Sequence, residues 1–126
     1  MKLNPDCVRA VLLAVEDCAF NETLNLEKLS AKLPKYETEE LWYTCLKLAE
    51  GNLLEVVTVP MMRSAMPGIK QITCMTYSGH EFLNTVRDPK IFRMAKSACV
   101  KVGALSLELL MEAAKVAASA AVTAAL

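Results

Sequence analysis

The segment LLEVVTVPMMRSAMPGIKQITCMTY, residues 53–77, decides the predicted fold. Its first part, residues 53–59, is a continuous run rich in β-branched residues, which predicts a half-buried strand. Its last part, residues 69–77, predicts a second strand in which neither face is cleanly polar. Two prolines and a glycine stand between these runs. Two strands joined by a loop of about eight residues predict a β-hairpin with a long tip.

Three short helices are predicted before this hairpin. Asn4 is a suitable N-cap and Pro5 fits the first helical position, and apolar residues then repeat at helical spacing. A second helix is predicted over residues 26–33 and ends there because residue 34 is a proline. A third begins at Thr38 and stops at residues 51–52, a Gly-Asn pair that tolerates the left-handed conformation.

The predicted element order is therefore three helices, two strands and further helix. This order is typical of a winged helix-turn-helix domain, in which the second and third helices form the turn and the hairpin forms the wing. We expect a mainly α protein with a small β-hairpin, an α+β fold built as a winged helix-turn-helix followed by C-terminal helices. We place a winged-helix-like domain at residues 1–87 and a helical extension at residues 88–126. Because such domains bind DNA or proteins, the fold alone does not fix the function.

The one histidine, His80, is the residue on which a catalytic or metal site would depend. Ser78 and Glu81 stand three residues apart before an apolar pair, which is the pattern of a capping box. We interpret Ser78 and Glu81 as a structural cap and His80 as part of the first helical turn. The sequence has no glycine-rich phosphate loop, nucleophile elbow or ligand cluster. We therefore expect no enzymatic activity, no catalytic residues, no cofactor and no metal.

Three segments carry a resemblance to known proteins: MKLNPDCVR at residues 1–9, LAEGNLLE at residues 48–55 and ITCMTYSGHEFLNTVRDPKIF at residues 72–92. They resemble a family of short proteins encoded by bacteriophages and prophages and described as a domain of unknown function. The resemblance implies a phage-related origin and a winged-helix-like body, but no mechanism. The chain departs from the family pattern at residues 52–54, where relatives usually show Gly-Leu-Ile, and at Phe92, where they usually show tryptophan.

Charge is unevenly distributed along a chain whose formal net charge is zero. Residues 1–50 carry six Lys/Arg against nine Asp/Glu, giving −3, and residues 87–126 carry six against three, giving +3. The balanced total disfavours strong non-specific binding to nucleic acid, for which a basic excess is usual. The five cysteines form no C-x-x-C pair and the first residues are not an apolar leader. We expect reduced thiols and a place in the cytoplasm of a bacterial host.

A basic helix after the hairpin is the candidate nucleic-acid interface. The third helix is the usual position for reading DNA. Three glutamates around its start, Glu37, Glu39 and Glu40, would be repelled by phosphates, although acids there also stabilise a helix dipole. After Asp88 and Pro89 open the next helix, one face is apolar and the opposite face is basic. A solvated surface helix explains the same pattern. The candidate contacts to phosphates are Lys90, Arg93, Lys96 and Lys101 of this helix, with Arg63 and Lys70 of the hairpin.

The alanine-rich tail, residues 104–126, predicts a long helix that is apolar most of the way round. Its uncharged end is too short to span a bilayer and the longer stretch contains charges, so we expect no membrane span. We expect the tail to mediate a homodimer or larger assembly. The candidate self-association residues are Leu105, Leu109, Leu110, Val116, Ala117 and Ala121.

Two functions stay open at this point. The first is a non-enzymatic binding module that acts through protein–protein contacts, on a host or phage protein. The second is a DNA-binding transcriptional regulator of the winged-helix type that uses the basic face of the helix at residues 89–102 and the hairpin on duplex DNA. We rank the binding module first because of the zero net charge and the acidic third helix.

Overall fold

The computed structural model of the chain describes residues 1–103 and 106–126. Within these residues the protein is mostly helical with one antiparallel two-stranded hairpin, which confirms the predicted α+β class. The elements are α1 (Pro5–Glu16), α2 (Leu26–Lys32), α3 (Thr38–Glu50), β1 (Leu54–Val59), β2 (Gly68–Met75), α4 (Tyr77–Val86), α5 (Pro89–Lys101) and α6 (Leu107–Ala125).

Polar side chains begin several of these helices, because the first N–H groups of a helix have no partner within it. The Asn4 side chain accepts a hydrogen bond from the Asp6 N–H (3.0 Å), as predicted for α1. Asp88 does the same for α5, accepting from the Lys90 N–H (2.8 Å). The end of α3 also follows the prediction, since Asn52 adopts the left-handed conformation with φ 61°.

The start of α4 corrects a sequence prediction. The helix begins at Tyr77, and the hydroxyl of Thr76 accepts the hydrogen bond from the Gly79 N–H (3.0 Å). Ser78 is therefore the second residue of the helix, so the predicted box of Ser78 and Glu81 is not the cap. The helix starts early because β2 ends at Met75, directly before the capping threonine.

The chain divides into two compact units, residues 1–79 and residues 80–126. The domain boundary predicted between residues 87 and 88 stays a prediction, because compactness alone does not show which segment folds independently. The first unit contains α1, α2, α3 and the hairpin. Its core is apolar, and its fully buried side chains include Val8, Val11, Leu12, Leu29, Leu41, Leu48, Leu53 and Ile72.

The hairpin is fixed to the helices by a short backbone bridge. Leu24, in the segment before α2, pairs antiparallel with Ile72 of β2. The Leu24 N–H bonds the Ile72 carbonyl (3.2 Å), and the Ile72 N–H bonds the Leu24 carbonyl (2.7 Å). This bridge lies on the side of β2 opposite to β1, so β2 is an inner strand and β1 an outer one.

The register of the hairpin contains two irregularities, and both extra residues lie in β2. Glu55 pairs with Cys74 and Val56 with Ile72, which leaves Thr73 over. Val57 pairs with Gln71 and Thr58 with Ile69, which leaves Lys70 over. β1 itself is therefore a continuous strand of six residues, while β2 bulges twice.

In the second unit α5 packs against α6. The buried residues of α5 are Phe92, Ala95 and Cys99, and those of α6 are Leu110, Ala114 and Ala117. Each set repeats at intervals of three and four residues, which places it along one face of its helix. From residue 119 to residue 126 every side chain is exposed. Among the residues that the structure describes, no helix combines the length and the apolar character needed to cross a membrane.

Candidate protein-binding surface on the third helix and hairpin

We name one exposed part of the first unit the helix–hairpin surface. It consists of the exposed side of α3, the outer face of the hairpin and the loop at residues 60–67. Its helical part is polar and acidic, and its hairpin part combines exposed apolar side chains with the charged residues Glu55 and Arg63. Its members are Glu39, Tyr43 and Lys47 on α3, and Val57, Val59, Met61 and Met62 on the hairpin.

A hydrogen bond holds the two parts together. The indole N–H of Trp42, on α3, donates to the carbonyl oxygen of Pro67 at the end of the loop (2.7 Å). Trp42 is half-buried, so its ring lies at the margin of the core while its polar edge reaches the loop. The loop is therefore anchored to the helix and does not simply extend from the ends of two strands.

The one cation of α3 is paired with an acid of the same helix. Lys47, the only Lys or Arg between Thr38 and Glu50, pairs with Glu50 (Nζ to Oε2, 3.0 Å). The hydrogen bond to Glu50 raises the pKa of the Lys47 ammonium above its ordinary value. The same ammonium stands 5.5 Å from the centre of the Tyr43 ring. Since Glu39 also faces solvent, this side of α3 presents net negative charge.

The outer face of the hairpin is unusually apolar. Val57, Val59 and Met61 occupy alternate positions, and their exposed fractions are 44%, 37% and 47%. Val57 and Val59 point to the same side because they are alternate residues of β1, and Met61, in the loop, lies beside Val59 over Gly68. Met62 follows at the tip with an exposed fraction of 92%. The solvent face of an antiparallel hairpin is ordinarily polar, so this exposed apolar row is a candidate protein-binding surface.

The loop that carries these methionines has internal hydrogen bonds. The hydroxyl of Ser64 donates to the Met66 carbonyl (2.9 Å) and accepts from the Met66 N–H (3.2 Å). Arg63 takes the left-handed conformation with φ 63°, which turns the chain sharply. Met61 lies over Gly68, where an added Cβ would come within 2.7 Å of the Met61 sulfur. The loop is thus folded back on β2, with Met62 on its outside.

The predicted nucleic-acid contacts belong to two different units. In the second unit Lys90, Arg93 and Lys101 are exposed on α5, as the helical pattern predicted. Lys96 is half-buried, with its ammonium 5.1 Å from the centre of the Phe92 ring, so this side chain also packs within its own helix. In the first unit Arg63 and Lys70 are exposed on the hairpin.

The predicted self-association residues are divided between the inside and the outside of the second unit. Leu110 and Ala117 are buried, so they serve the packing within the unit and are not open to a second copy. Leu109, Val116 and Ala121 are exposed on α6. Leu105 lies outside the described residues. Leu109 and Val116 therefore lie on a different side of α6 from the buried residues, whereas Ala121 continues the buried side beyond Ala117.

The cysteines and His80 form no visible reaction centre within residues 1–103 and 106–126. His80 is exposed in the first turn of α4, and no group of three or more potential ligands in this part of the chain could hold a metal ion. Burial raises the pKa of the Cys45 thiol to about 12. At exposed Cys74, desolvation and then the Glu55 carboxylate, 3.5 Å from the sulfur, raise the thiol pKa.

Sequence reasoning missed the apolar row on the hairpin, although a signal was present. The loop sequence PMMRSAMP places three methionines between two prolines, and Val57 and Val59 precede it in alternation. Methionine is flexible and polarizable, which suits binding surfaces that adapt to a partner. A cluster of exposed methionines at a hairpin tip is therefore the local sign that could have located this surface.

Comparison with known proteins gives one family. The family described as Hypothetical protein (DUF2513) matches residues 2–106. No curated protein matches the chain, and neither does any solved structure.

Proposed function

The chain belongs to the DUF2513 family, and we propose that it is a non-enzymatic binding module that acts through protein–protein contacts at the helix–hairpin surface. The proposed partner is a protein of the bacterial host or of the phage. The single observation that carries this proposal is the exposed row of Val57, Val59, Met61 and Met62, next to a helix whose one cation is paired.

We also propose that the first unit is a winged-helix body in which α2 and α3 form the helix-turn-helix and the hairpin forms the wing. The order of the elements supports this assignment. The Leu24–Ile72 bridge supports it further, because it joins the hairpin to the segment that leads into α2. The resemblance of residues 2–7 and 76–87 to bacteriophage and prophage proteins supports a phage-related origin in a bacterial cytoplasm.

The surface chemistry favours protein over DNA at α3. A recognition helix in the major groove presents the start of the helix to bases between two rows of phosphates. Here that start carries Glu39 and Glu40, and the one lysine of α3, Lys47, stands near its other end and is paired with Glu50. A protein partner has no such requirement, because burial of apolar side chains supplies the favourable free energy.

Capture experiments with the tagged full chain, from a lysate of the bacterium that carries the gene, test this function. The test variant replaces Met61 and Met62 with serine. The control variant is Phe20→Ser, since Phe20 is fully exposed on another part of the first unit. We expect wild type and the control to retain the same protein, and the Met61/Met62 variant to retain about tenfold less, which corresponds to about 1.4 kcal/mol of binding free energy. Equal capture by all three proteins would contradict the proposal.

A second candidate function, a winged-helix transcriptional regulator, is favoured by the three exposed cations of α5. Lys90, Arg93 and Lys101 lie on one side of that helix, where they can neutralise phosphates. The test is duplex DNA binding at several salt concentrations. This function requires that affinity falls steeply with salt and that Arg93→Glu with Lys101→Glu abolishes binding, while Lys28→Glu on α2 does not. Absence of binding at about 50 mM salt and micromolar protein would exclude it.

A further inference from the structure

β1 is an edge strand with one open side. Within residues 1–103 and 106–126, the strand order is β1–β2, and the additional bridge from Leu24 reaches β2 and not β1. The backbone hydrogen bonds of β1 inside these residues therefore lie on the β2 side. Along the other side, N–H and C=O groups of β1 face outward and can pair with another strand.

The open edge is also regular, which is uncommon for an exposed edge. Proteins usually protect such edges with bulges, prolines or lysines along the strand. In this hairpin both bulges lie in β2, and β1 contains neither proline nor lysine between Leu54 and Val59. Pro60 stands directly after the last residue of the strand and therefore does not interrupt its edge. Four of the six residues of β1, Glu55, Val57, Thr58 and Val59, are exposed, so solvent reaches most of the strand.

We propose that β1 binds an extended segment of the partner protein as an additional antiparallel strand. This inference rests on the proposed function. Main-chain hydrogen bonds to the open edge supply the pairing, and alternate side chains of the added strand supply the specificity. The antiparallel direction is proposed because antiparallel pairs are slightly more stable per residue than parallel ones.

The chemistry of the added strand follows from the outer face of β1. Glu55, Val57 and Val59 lie on this face at alternate positions, and Glu55 is the only charged residue of the strand. Side chains directly opposite one another across an antiparallel pair interact, and opposite charges and β-branched pairs are favourable. The bound segment therefore carries apolar residues opposite Val59 and Val57 and a lysine or arginine opposite Glu55. Read from its N-terminus, the pattern is apolar, any, apolar, any, basic.

A second copy of this chain fits the edge less well. Because β1 contains no lysine or arginine, pairing of β1 with β1 offers Glu55 no cation in any register. A basic residue in a different protein supplies that cation. The charge complementarity thus selects a foreign segment over a second copy.

The binding test uses the full chain and a synthetic peptide that contains Val-Thr-Val-Thr-Lys. The matched control peptide has the same side chains but is N-methylated at the alternate amides that would face β1. We expect the first peptide to bind, and to slow hydrogen exchange at alternate amides of β1 in the NMR spectrum. We expect the methylated peptide to bind at least about tenfold more weakly, because it cannot form the main-chain bonds. No binding of the first peptide at about 1 mM, or equal binding of the two peptides, would overturn strand addition.

A charge exchange tests the register. Glu55→Lys should lower the affinity for the lysine peptide about fivefold. A peptide with glutamate in place of the lysine should bind the variant with the affinity that was lost. Circular dichroism checks that the variant is folded. An effect of equal size on both peptides would contradict the assigned register. Dimerisation of the wild-type chain that is lost on addition of the unmethylated peptide and in Glu55→Lys would instead assign the edge to a second copy and overturn the proposal.

These results are separable from the proposed function. Strand addition alone is contradicted if the first peptide does not bind, or if both peptides bind equally, while the Met61/Met62 variant still captures less protein than wild type. The proposed function itself fails if that variant captures as much protein as wild type does.

Discussion

The side chain of Trp42 and the backbone of Pro67 are joined by a hydrogen bond of 2.7 Å from the indole N–H to the carbonyl oxygen. Trp42 belongs to α3, and Pro67 ends the hairpin loop just before β2. This bond connects the acidic helix to the methionine-bearing loop, so the two halves of the helix–hairpin surface keep one arrangement. A surface that is arranged before it binds loses less conformational entropy when a partner arrives.

Replacement of Trp42 with phenylalanine should loosen the loop. The change keeps an aromatic ring but removes the donor to Pro67, and we expect a loss of about 1 kcal/mol in the free energy of unfolding. Hydrogen exchange at residues 60–67 should become faster. Tyr43→Phe is the control, since Tyr43 lies on the same helix and its change leaves the Trp42 bond intact. Urea unfolding followed by circular dichroism measures the stability, and unchanged stability with unchanged loop exchange would contradict the role given to Trp42.

The capping of α4 gives a prediction that distinguishes Thr76 from Ser78, two positions further along the chain. Thr76→Ala should cost about 1 kcal/mol or more, because the Thr76 hydroxyl caps the Gly79 N–H and also bonds the Asn52 carbonyl. Ser78→Ala should change the stability by less than about 0.5 kcal/mol, as is usual for an exposed position. Denaturant unfolding of both variants measures this order. A larger loss of stability for Ser78→Ala than for Thr76→Ala would instead support the capping box of Ser78 and Glu81 that the sequence predicted.

The thiols should react in an order set by burial and by pH. Cys74 is exposed, whereas Cys45 is buried with a thiol pKa raised to about 12. The thiolate is the reactive form, so a raised pKa means that less of it is present at a given pH. We expect a disulfide reagent to label Cys74 first, at a rate that still increases above pH 9 because its pKa is raised. Cys45 should react only after unfolding, and labelling of Cys45 in the folded chain at neutral pH would contradict its placement.

The tail should associate through the exposed side of α6. We expect the full chain to be a dimer or larger by light scattering, because Val116 and Val122 are exposed on a helix whose other side packs on α5. Val116→Glu with Val122→Glu should give a monomer, and Val100→Glu on α5 should not. A chain that ends at residue 118 should also be monomeric while it keeps the buried Leu110, Ala114 and Ala117. A monomeric wild-type chain would show that α6 does not self-associate.

The element order and most helix starts could be predicted because their signals are local. Asn4, Asp88 and the Gly51–Asn52 pair act through bonds or backbone angles within a few residues of themselves. The start of α4 could not be settled in this way. Thr76 and Ser78 both have capping hydroxyls, and the end of β2 and its pairing with β1 decide between them.

The apolar row of the hairpin was hard to predict because β1 is apolar on both of its faces, and only the fold shows that Val57 and Val59, rather than Leu54 and Val56, face solvent. The extra residues Lys70 and Thr73 each shift the alternation of β2, so its sequence reads as mixed on both faces. The burial of Leu110 and Ala117 likewise could not be predicted from the sequence pattern of α6. Several sides of that helix are apolar, and the packing against the buried residues of α5 determines which side is buried.

The helix–hairpin surface is tested most directly by mapping where the captured partner contacts the full chain. Hydrogen exchange of the purified complex, compared with the free chain, reports this for every backbone amide. We predict slower exchange in β1, in the loop at residues 60–67 and on the exposed side of α3, with no change over α5. Slower exchange over α5 with unchanged exchange in β1 and the loop would contradict the proposed binding surface.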